Sequence, residues 1–189
     1  MKNNYKVLDI RGTHGSGKSY IPIKLLEMYD HVEWRGHPFT YDGPEGTLGY
    51  YIKALNLTII GRYATACGGC DGIKTQAEIR ERVAIASRTS NVLLEGILVA
   101  HTFGPWEEYS RPWGDTWNFC FLNTPLLRCV DNVNSRRALA GKEPLADPKN
   151  IVRDHGRIWA LKPKFEEAGR NTRWLNHETS VTDLLAVLS

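Results

Sequence analysis

Apolar and polar positions along this chain switch repeatedly between the two-residue period of strands and the 3.6-residue period of helices. The first block, KVLDIRG (residues 6–12), predicts a buried strand. A Gly-rich turn follows it, then a helical pattern carried by Ile21, Leu25 and Met28. Pro22 falls inside that pattern and predicts a kink. HVEWRG (31–36) reads as a second strand, and GYYIKALNLTIIGRY (49–63) as two strands around a tight turn at Ala54 to Asn56. Thr75-x-x-Glu78 has the form of a capping box, so a helix is expected there with Ile79, Val83 and Ala86 on its buried face. NVLLEGIL (91–98) and WNFCFLNT (117–124) are short continuous apolar runs, the pattern of strands covered on both faces. Pro125 opens a helix with Leu126, Val130 and Val133 inward, ending near Gly141. Residues 150–169 predict one further helix, TRWL (172–175) a last strand and residues 180–189 a closing helix. Strands alternating with helices point to an α/β fold around a mostly parallel sheet.

The chain has 189 residues and a mass of 21.4 kDa, enough for one well-buried domain, and it shows no repeat or linker. We therefore expect a single domain over residues 1–189. No apolar run is long enough to span a bilayer. The start, MKNNYKVLDIRG, lacks the apolar core of a secretory signal, so a cytoplasmic protein with no membrane partner is expected. The formal net charge is only +3, but it is unevenly spread. Between Arg128 and Arg173 lie eleven Lys and Arg against six Asp and Glu, and the remainder is close to neutral. Phosphate groups are expected near that basic segment.

Residues 12–19, GTHGSGKS, match G-x-x-x-x-G-K-[ST] at every fixed position, with a strand predicted before and a helix after. In such a loop the backbone N–H groups of Gly12, Thr13, His14, Gly15, Ser16, Gly17, Lys18 and Ser19 curl around phosphate oxygens, aided by the helix dipole. Lys18 is expected to reach the β and γ phosphates and the Ser19 hydroxyl to ligate Mg²⁺. His14 occupies a variable position and needs no special role. Glu95, at the end of its strand, is a candidate for holding Mg²⁺ through water or for acting as a base. A basic helix after a strand folds over the nucleotide in small P-loop kinases, which makes Arg128, Arg136 and Arg137 candidates for the transferring phosphate. The plainer reading of each is a solvated helix face.

These segments carry a resemblance. The phosphate loop, LLEGI, FLNTPLLRCVDNVNSRRALAGKEPL and the terminal AG…TRWL are similar to the small P-loop kinases of bacteriophages, most of all to the 5-hydroxymethyluracil DNA kinases of thymidine-hypermodifying phages. The resemblance implies a three-layer P-loop kinase fold with a basic helical lid near residues 128–150. It also implies ATP, Mg²⁺ and phosphorylation of a hydroxymethyl group on a base already in DNA, within the host cytoplasm. Phage kinases acting on free deoxynucleoside monophosphates share that architecture. A nucleotide-binding module that hydrolyses ATP slowly is the rival outside the kinases.

Cys67-x-x-Cys70 is readable as half a zinc site, a redox pair or part of a substrate loop. A structural zinc needs four ligands. Cys120 and Cys129 form no second close pair, and nothing in the spacing of His37 or His101 recruits them. Free thiols and a substrate loop fit better. Gly68, Gly69 and Gly72 allow close backbone approach. Asp71 stands just before the helix that Thr75 caps, and is the first choice for a general base, with Glu95 second; pinning its own turn is the alternative. Arg62 and Tyr63 are placed to line an acceptor site. Trp106 and Trp113, around Arg111, are weaker candidates for stacking on bases.

Overall fold

The computed structural model describes residues 4–36, 46–63 and 68–189. Its sheet contains β1 (Val7–Arg11), β2 (Val32–Trp34), β3 (Gly49–Ile52), β4 (Leu57–Ile60), β5 (Asn91–Glu95), β6 (Trp117–Leu122) and β7 (Asn171–Leu175), in the order β2-β3-β4-β5-β1-β6-β7. The β4-β5-β1-β6-β7 pairings are parallel, whereas β3 runs antiparallel to both β2 and β4. The turn between β3 and β4 is a short 3₁₀ segment closed by Asn56 with φ 42°, a conformation Asn tolerates better than most residues.

Alternation along the strands assigns each side chain to one of two cores. One layer packs α2 (Gln76–Ala86), α3 (Ile97–Ala100), α4 (Gly104–Ser110), α6 (Lys149–Trp159) and α7 (Leu161–Glu167) against the sheet through residues such as Ile79, Val83, Trp106, Ile158 and Phe165. The opposite layer uses Ile21 and Leu25 of α1 (Tyr20–Met28) with Leu184 and Val187 of α8 (Ser180–Leu188). Each large apolar side chain so covered contributes roughly 1.5–3 kcal/mol. The architecture is therefore three-layered.

In β1 the same alternation carries Asp9 and Arg11 into the first core, where both are fully buried and paired at 2.8 Å. The Arg11 guanidinium lies over the rings of Phe119 and Phe165, and its Nη1 donates to the Thr102 carbonyl at 2.8 Å. Burial raises the Asp9 pKa even against its arginine. This pair anchors the strand end from which the phosphate loop leaves.

Several local expectations are corrected. Pro22 produces no break, because it sits in the first turn of α1, where its missing N–H has no partner to lose. The predicted helix over 150–169 is two helices meeting at Ala160. Pro163 explains the break, since it can neither donate to the Trp159 carbonyl nor pack beside it. The capping box is half formed: Thr75 Oγ1 accepts from the Glu78 amide at 3.1 Å, while the Glu78 carboxylate pairs with Arg82 instead. In α5 (Leu126–Leu139) the fully buried residue is Cys129; Val130 and Val133 are only half-covered.

Trp106 and Trp113 do not offer stacking surfaces. Trp106 is wholly buried against Tyr109 and Trp117, Trp113 packs on the same two rings, and Arg111 is paired with Glu107. Among the described residues no helix is long and apolar enough to cross a membrane.

Candidate active site

The phosphate loop leaves β1 after Arg11 and enters α1 at Tyr20, at the carboxyl ends of the parallel strands. That is where open α/β sheets place ligands. Two neighbours hold the loop in shape. Thr124, just beyond β6, donates its hydroxyl to the Ser16 carbonyl at 2.6 Å, and Asn132 of α5 donates its side-chain amide to the Gly15 carbonyl at 2.8 Å. Gly15 has φ +76°, and a Cβ there would lie 2.1 Å from the Cys129 carbonyl oxygen. Only glycine lets the loop lie this close to α5.

A cleft of about 1070 Å³ opens over the loop, lined by residues 14–19 together with Asp71, Arg128, Asn132, Arg136, His177 and Glu178. Lys18 is buried in its floor and donates Nζ to the Thr13 carbonyl at 3.0 Å. Burial lowers its pKa, against the raising influence of Glu95 and Asp71. Ser19 donates its hydroxyl to Glu95 Oε1 at 3.0 Å. Glu95 reaches this position because β5 lies beside β1, pairing Glu95 with Ile10. Its carboxyl is buried and its pKa is pushed up to about 6, chiefly by desolvation, although Lys18 and the Ser19 hydroxyl pull it down.

Oε2 of Glu95 is buried without a hydrogen-bond partner, as are Thr13 Oγ1 and Ser16 Oγ. A half-satisfied carboxylate beside a serine hydroxyl is a donor set suited to a hard cation that keeps several waters. The Tyr63 hydroxyl is also buried and makes no hydrogen bond of normal geometry, though it is near enough for burial and the Glu95 charge together to raise its pKa well above the usual value.

The loop that ends at Asp71 is pressed onto Glu95. Gly69 has φ +70°, and a Cβ on it would meet Glu95 Oε1 at 2.3 Å. Its amide donates to the Arg62 carbonyl at 2.9 Å, within an isolated antiparallel bridge between the two residues. Gly69→Ala is therefore expected to lower stability by roughly 1–3 kcal/mol through backbone strain and displacement of the carboxylate. Gly72→Ala, where a Cβ meets nothing within 4 Å, is the matched control, and paired thermal melts decide the comparison.

Asp71 lies exposed on a short 3₁₀ turn at the rim of the cleft. Its Oδ1 accepts the Ile97 amide at 2.7 Å and so caps the start of α3, tying it to the segment after Glu95. A second cleft, of about 780 Å³, is lined by Arg62, Gly68, Gly69, Gly72, Lys74, Glu78, Glu81 and Arg82 among others. Arg62 is held there by donating Nε to the Thr47 carbonyl at 2.7 Å.

The arginines divide. Arg128 and Arg136 face the first cleft, and neither forms an ion pair among the described residues. Arg137 is not brought there; its Nε donates to the Glu143 carbonyl at 2.7 Å and fastens the turn after α5. Much of the remaining basic surplus is also engaged locally, as in Arg153 with Asp154, Lys162 with Glu166 and Arg170 with Glu107.

Cys67 and His37 lie outside the described residues. Cys70, Cys120 and Cys129 are buried free thiols, and burial raises the pKa of each, to about 12 for Cys120 and about 11 for Cys129. They are poor nucleophiles in that state. Among the described residues no three His, Cys, Asp or Glu are arranged to hold a metal ion.

The sequence profile of the 5-hmdU DNA kinases matches residues 2–159. The chain belongs to that family. A 5-hmdU DNA kinase of Pseudomonas phage PaMx11 is 36% identical over 172 residues, covering 87% of each chain. Another, of Pseudomonas phage M6, is 29% identical over 199 residues, covering 97% of each. Among solved structures, a gluconokinase from Sinorhizobium meliloti 1021 superposes with a TM-score of 0.50 at 14% identity, over 100% of this chain and 93% of the other. That likeness establishes the P-loop kinase fold alone. The protein is a phosphotransferase.

Some residues of the kinase's cleft carry no motif. Thr124, Asn132, His177 and Glu178 come from three places outside the phosphate loop. Asn132 was findable in principle, because a helix that buries its small residues against a Gly-rich loop needs a donor for the loop's carbonyls. His177 and Glu178 enter only through the parallel pairing of β7 with β6.

Proposed function

We propose that this kinase transfers the γ-phosphoryl group of ATP, with Mg²⁺, to the hydroxymethyl oxygen of 5-hydroxymethyluracil in DNA. The observation that carries the proposal is that Ser19 of the phosphate loop hydrogen-bonds to Glu95 at 3.0 Å while Asp71 lines the same cleft as that loop, in a chain of the 5-hmdU DNA kinase family.

The loop amides and Lys18 hold the phosphate chain, and Arg128 and Arg136 face the charge that develops as the bond to the transferring phosphorus breaks. Ser19 and Glu95 would hold the cation, which would neutralise phosphate charge. Asp71 accepts the hydroxymethyl proton through its other oxygen while Oδ1 stays tied to Ile97. The acceptor oxygen bonds to the γ phosphorus, and ADP leaves with the electrons of the broken bond. Arg62 and Lys74, with the backbone of Gly68, Gly69 and Gly72, offer donors to the acceptor strand, while Arg82 is paired with Glu78. Tyr63, its hydroxyl buried, stands close to Glu95 and is not among the residues lining that cleft.

Labelled ATP supplied with DNA containing 5-hydroxymethyluracil is expected to label the DNA. Binding of that DNA should weaken steeply with salt as counterions are released. Label entering only the free 5-hydroxymethyl-deoxyuridine monophosphate run in parallel would reject the DNA acceptor.

A further inference from the structure

Helix α6 buries one stripe, Ile151, Asp154 and Ile158. Two of the three are apolar, as the spacing requires. The third is a carboxylate, and a buried carboxylate costs free energy unless its surroundings compensate it. The compensation is partial. Arg153 donates Nε to Asp154 Oδ1 at 3.1 Å from a largely exposed position. Oδ2 faces two imidazoles from two other elements: His101 Nε2 at 3.8 Å, just after α3, and His14 Nε2 at 4.0 Å, in the phosphate loop. Neither distance is a hydrogen bond. His101 Nε2 is buried with no hydrogen-bond partner among the described residues. His14 is half-exposed and lines the nucleotide cleft.

This places one imidazole of the phosphate loop between a buried carboxylate behind it and the phosphate chain expected in front of it. We propose that His14 is a catalytic residue, which takes up a proton when ATP binds and donates it in a hydrogen bond to the transferring phosphoryl group, with Asp154 as the positioning residue that holds and charges it. The proposal rests on the phosphoryl-transfer reading above. The proton comes from solvent on binding and returns to it on release, so the chemical step balances without it.

The electrostatics around His14 agree. Before ATP binds, burial and the charges of Lys18 and Arg136 lower its pKa, outweighing Asp154 and Asp71, so it is neutral at pH 7. His101 is likewise lowered by burial, with Arg157, His14 and Lys18 acting in the same direction and Asp154 against them. A polyphosphate adds several negative charges on the open side of His14 and offsets Lys18 and Arg136 directly. Opposite charge at about 4–6 Å favours the imidazolium by roughly one to three orders of magnitude in proton affinity, so the balance inverts.

The test follows the His14 ring resonances by NMR across pH, with and without ATP and Mg²⁺. Saturating ATP is expected to raise the proton affinity of His14 roughly tenfold or more, and Asp154→Asn to lower that affinity both with and without ATP. His14→Gln is expected to slow transfer by roughly 10²-fold, the cost of one donor to a developing charge. Asp154→Asn should lose rate at pH 8 and regain it as pH falls toward 6, which a merely structural role for Asp154 would not produce. A His14 titration that ATP leaves unmoved, or one that Asp154→Asn leaves unmoved, overturns the proposal. The NMR measurement needs only nucleotide, so it stands or falls separately from the identity of the DNA acceptor. Melting curves of both variants confirm that the fold is retained.

Discussion

Lys18→Met is expected to reduce phosphoryl transfer by at least roughly 10²–10³-fold while leaving the melting temperature unchanged or slightly higher. The rate loss follows from the place of Lys18 in the floor of the nucleotide cleft, where, among the described residues, no other lysine lines the wall. Removing one preorganised charge from a developing phosphate costs about that factor. The stability side is less obvious. Lys18 is buried, and desolvation lowers its pKa, so the folded protein binds this proton less tightly than the unfolded chain does. Stability from such a group rises with pH as the solution climbs through the lowered folded pKa toward the ordinary value of 10.5. At neutral pH the ammonium is therefore held at a cost. Methionine keeps an unbranched stem of similar length and removes the buried charge. Thermal melts at pH 7 and steady-state turnover with the DNA acceptor check both halves. A variant with near-normal turnover rejects the assignment of the phosphate loop, and one that melts well below the parent rejects the burial argument.

What the sequence made legible, and what it hid, separates along one physical line. Patterns that are local in the chain read correctly: the phosphate loop, the seven strand segments, the buried face Ile79–Val83–Ala86, and Glu95 closing its strand. That Glu95 falls beside Ser19, by contrast, follows from β5 pairing with β1, which its position in the chain does not show. Features that depend on which elements become neighbours were hidden. Trp106 looks like a surface aromatic in a segment rich in Glu, Arg and Pro. It is core because α4 and the 3₁₀ turn after it fold beneath Trp117. Arg136 and Arg137 are equivalent in sequence, yet helical rotation sends one into the cleft and the other to the Glu143 carbonyl. His14 reads as a variable loop position until α6, more than a hundred residues later, brings Asp154 behind it. The undivided helix expected at 150–169 is a different failure. Pro163 was visible, and its consequence for Trp159 follows from local sterics alone.

Asp71 and Glu95 are expected to fail in opposite ways when neutralised. Asp71→Asn should slow transfer by about two to four orders of magnitude, the range for a positioned proton acceptor, with little change in ATP binding. The carboxamide introduced by that substitution keeps a carbonyl oxygen that can still accept the Ile97 amide as Oδ1 does, so the start of α3 stays capped and the fold is preserved. Glu95→Gln should instead raise the Mg²⁺ concentration needed for half-maximal rate, because it removes the buried carboxylate beside Ser19. It should also change stability in a pH-dependent way. The Glu95 pKa is raised from 4.5 to about 6 by desolvation, so the folded state favours the protonated form. The resulting stability is fully present below pH 4.5 and is lost as pH rises through 6. Without metal, Glu95→Gln is therefore expected to melt above the parent at pH 7, with the gap closing as pH falls from 6 toward 4.5. Saturating Mg²⁺ with nucleotide should reverse the order, since ligand then stabilises the parent more than the variant. Paired melts over that pH range, and Mg²⁺ titrations of turnover for both variants, decide the assignment. If Asp71→Asn changes the Mg²⁺ requirement while Glu95→Gln lowers the rate at saturating Mg²⁺, the two carboxylates exchange roles.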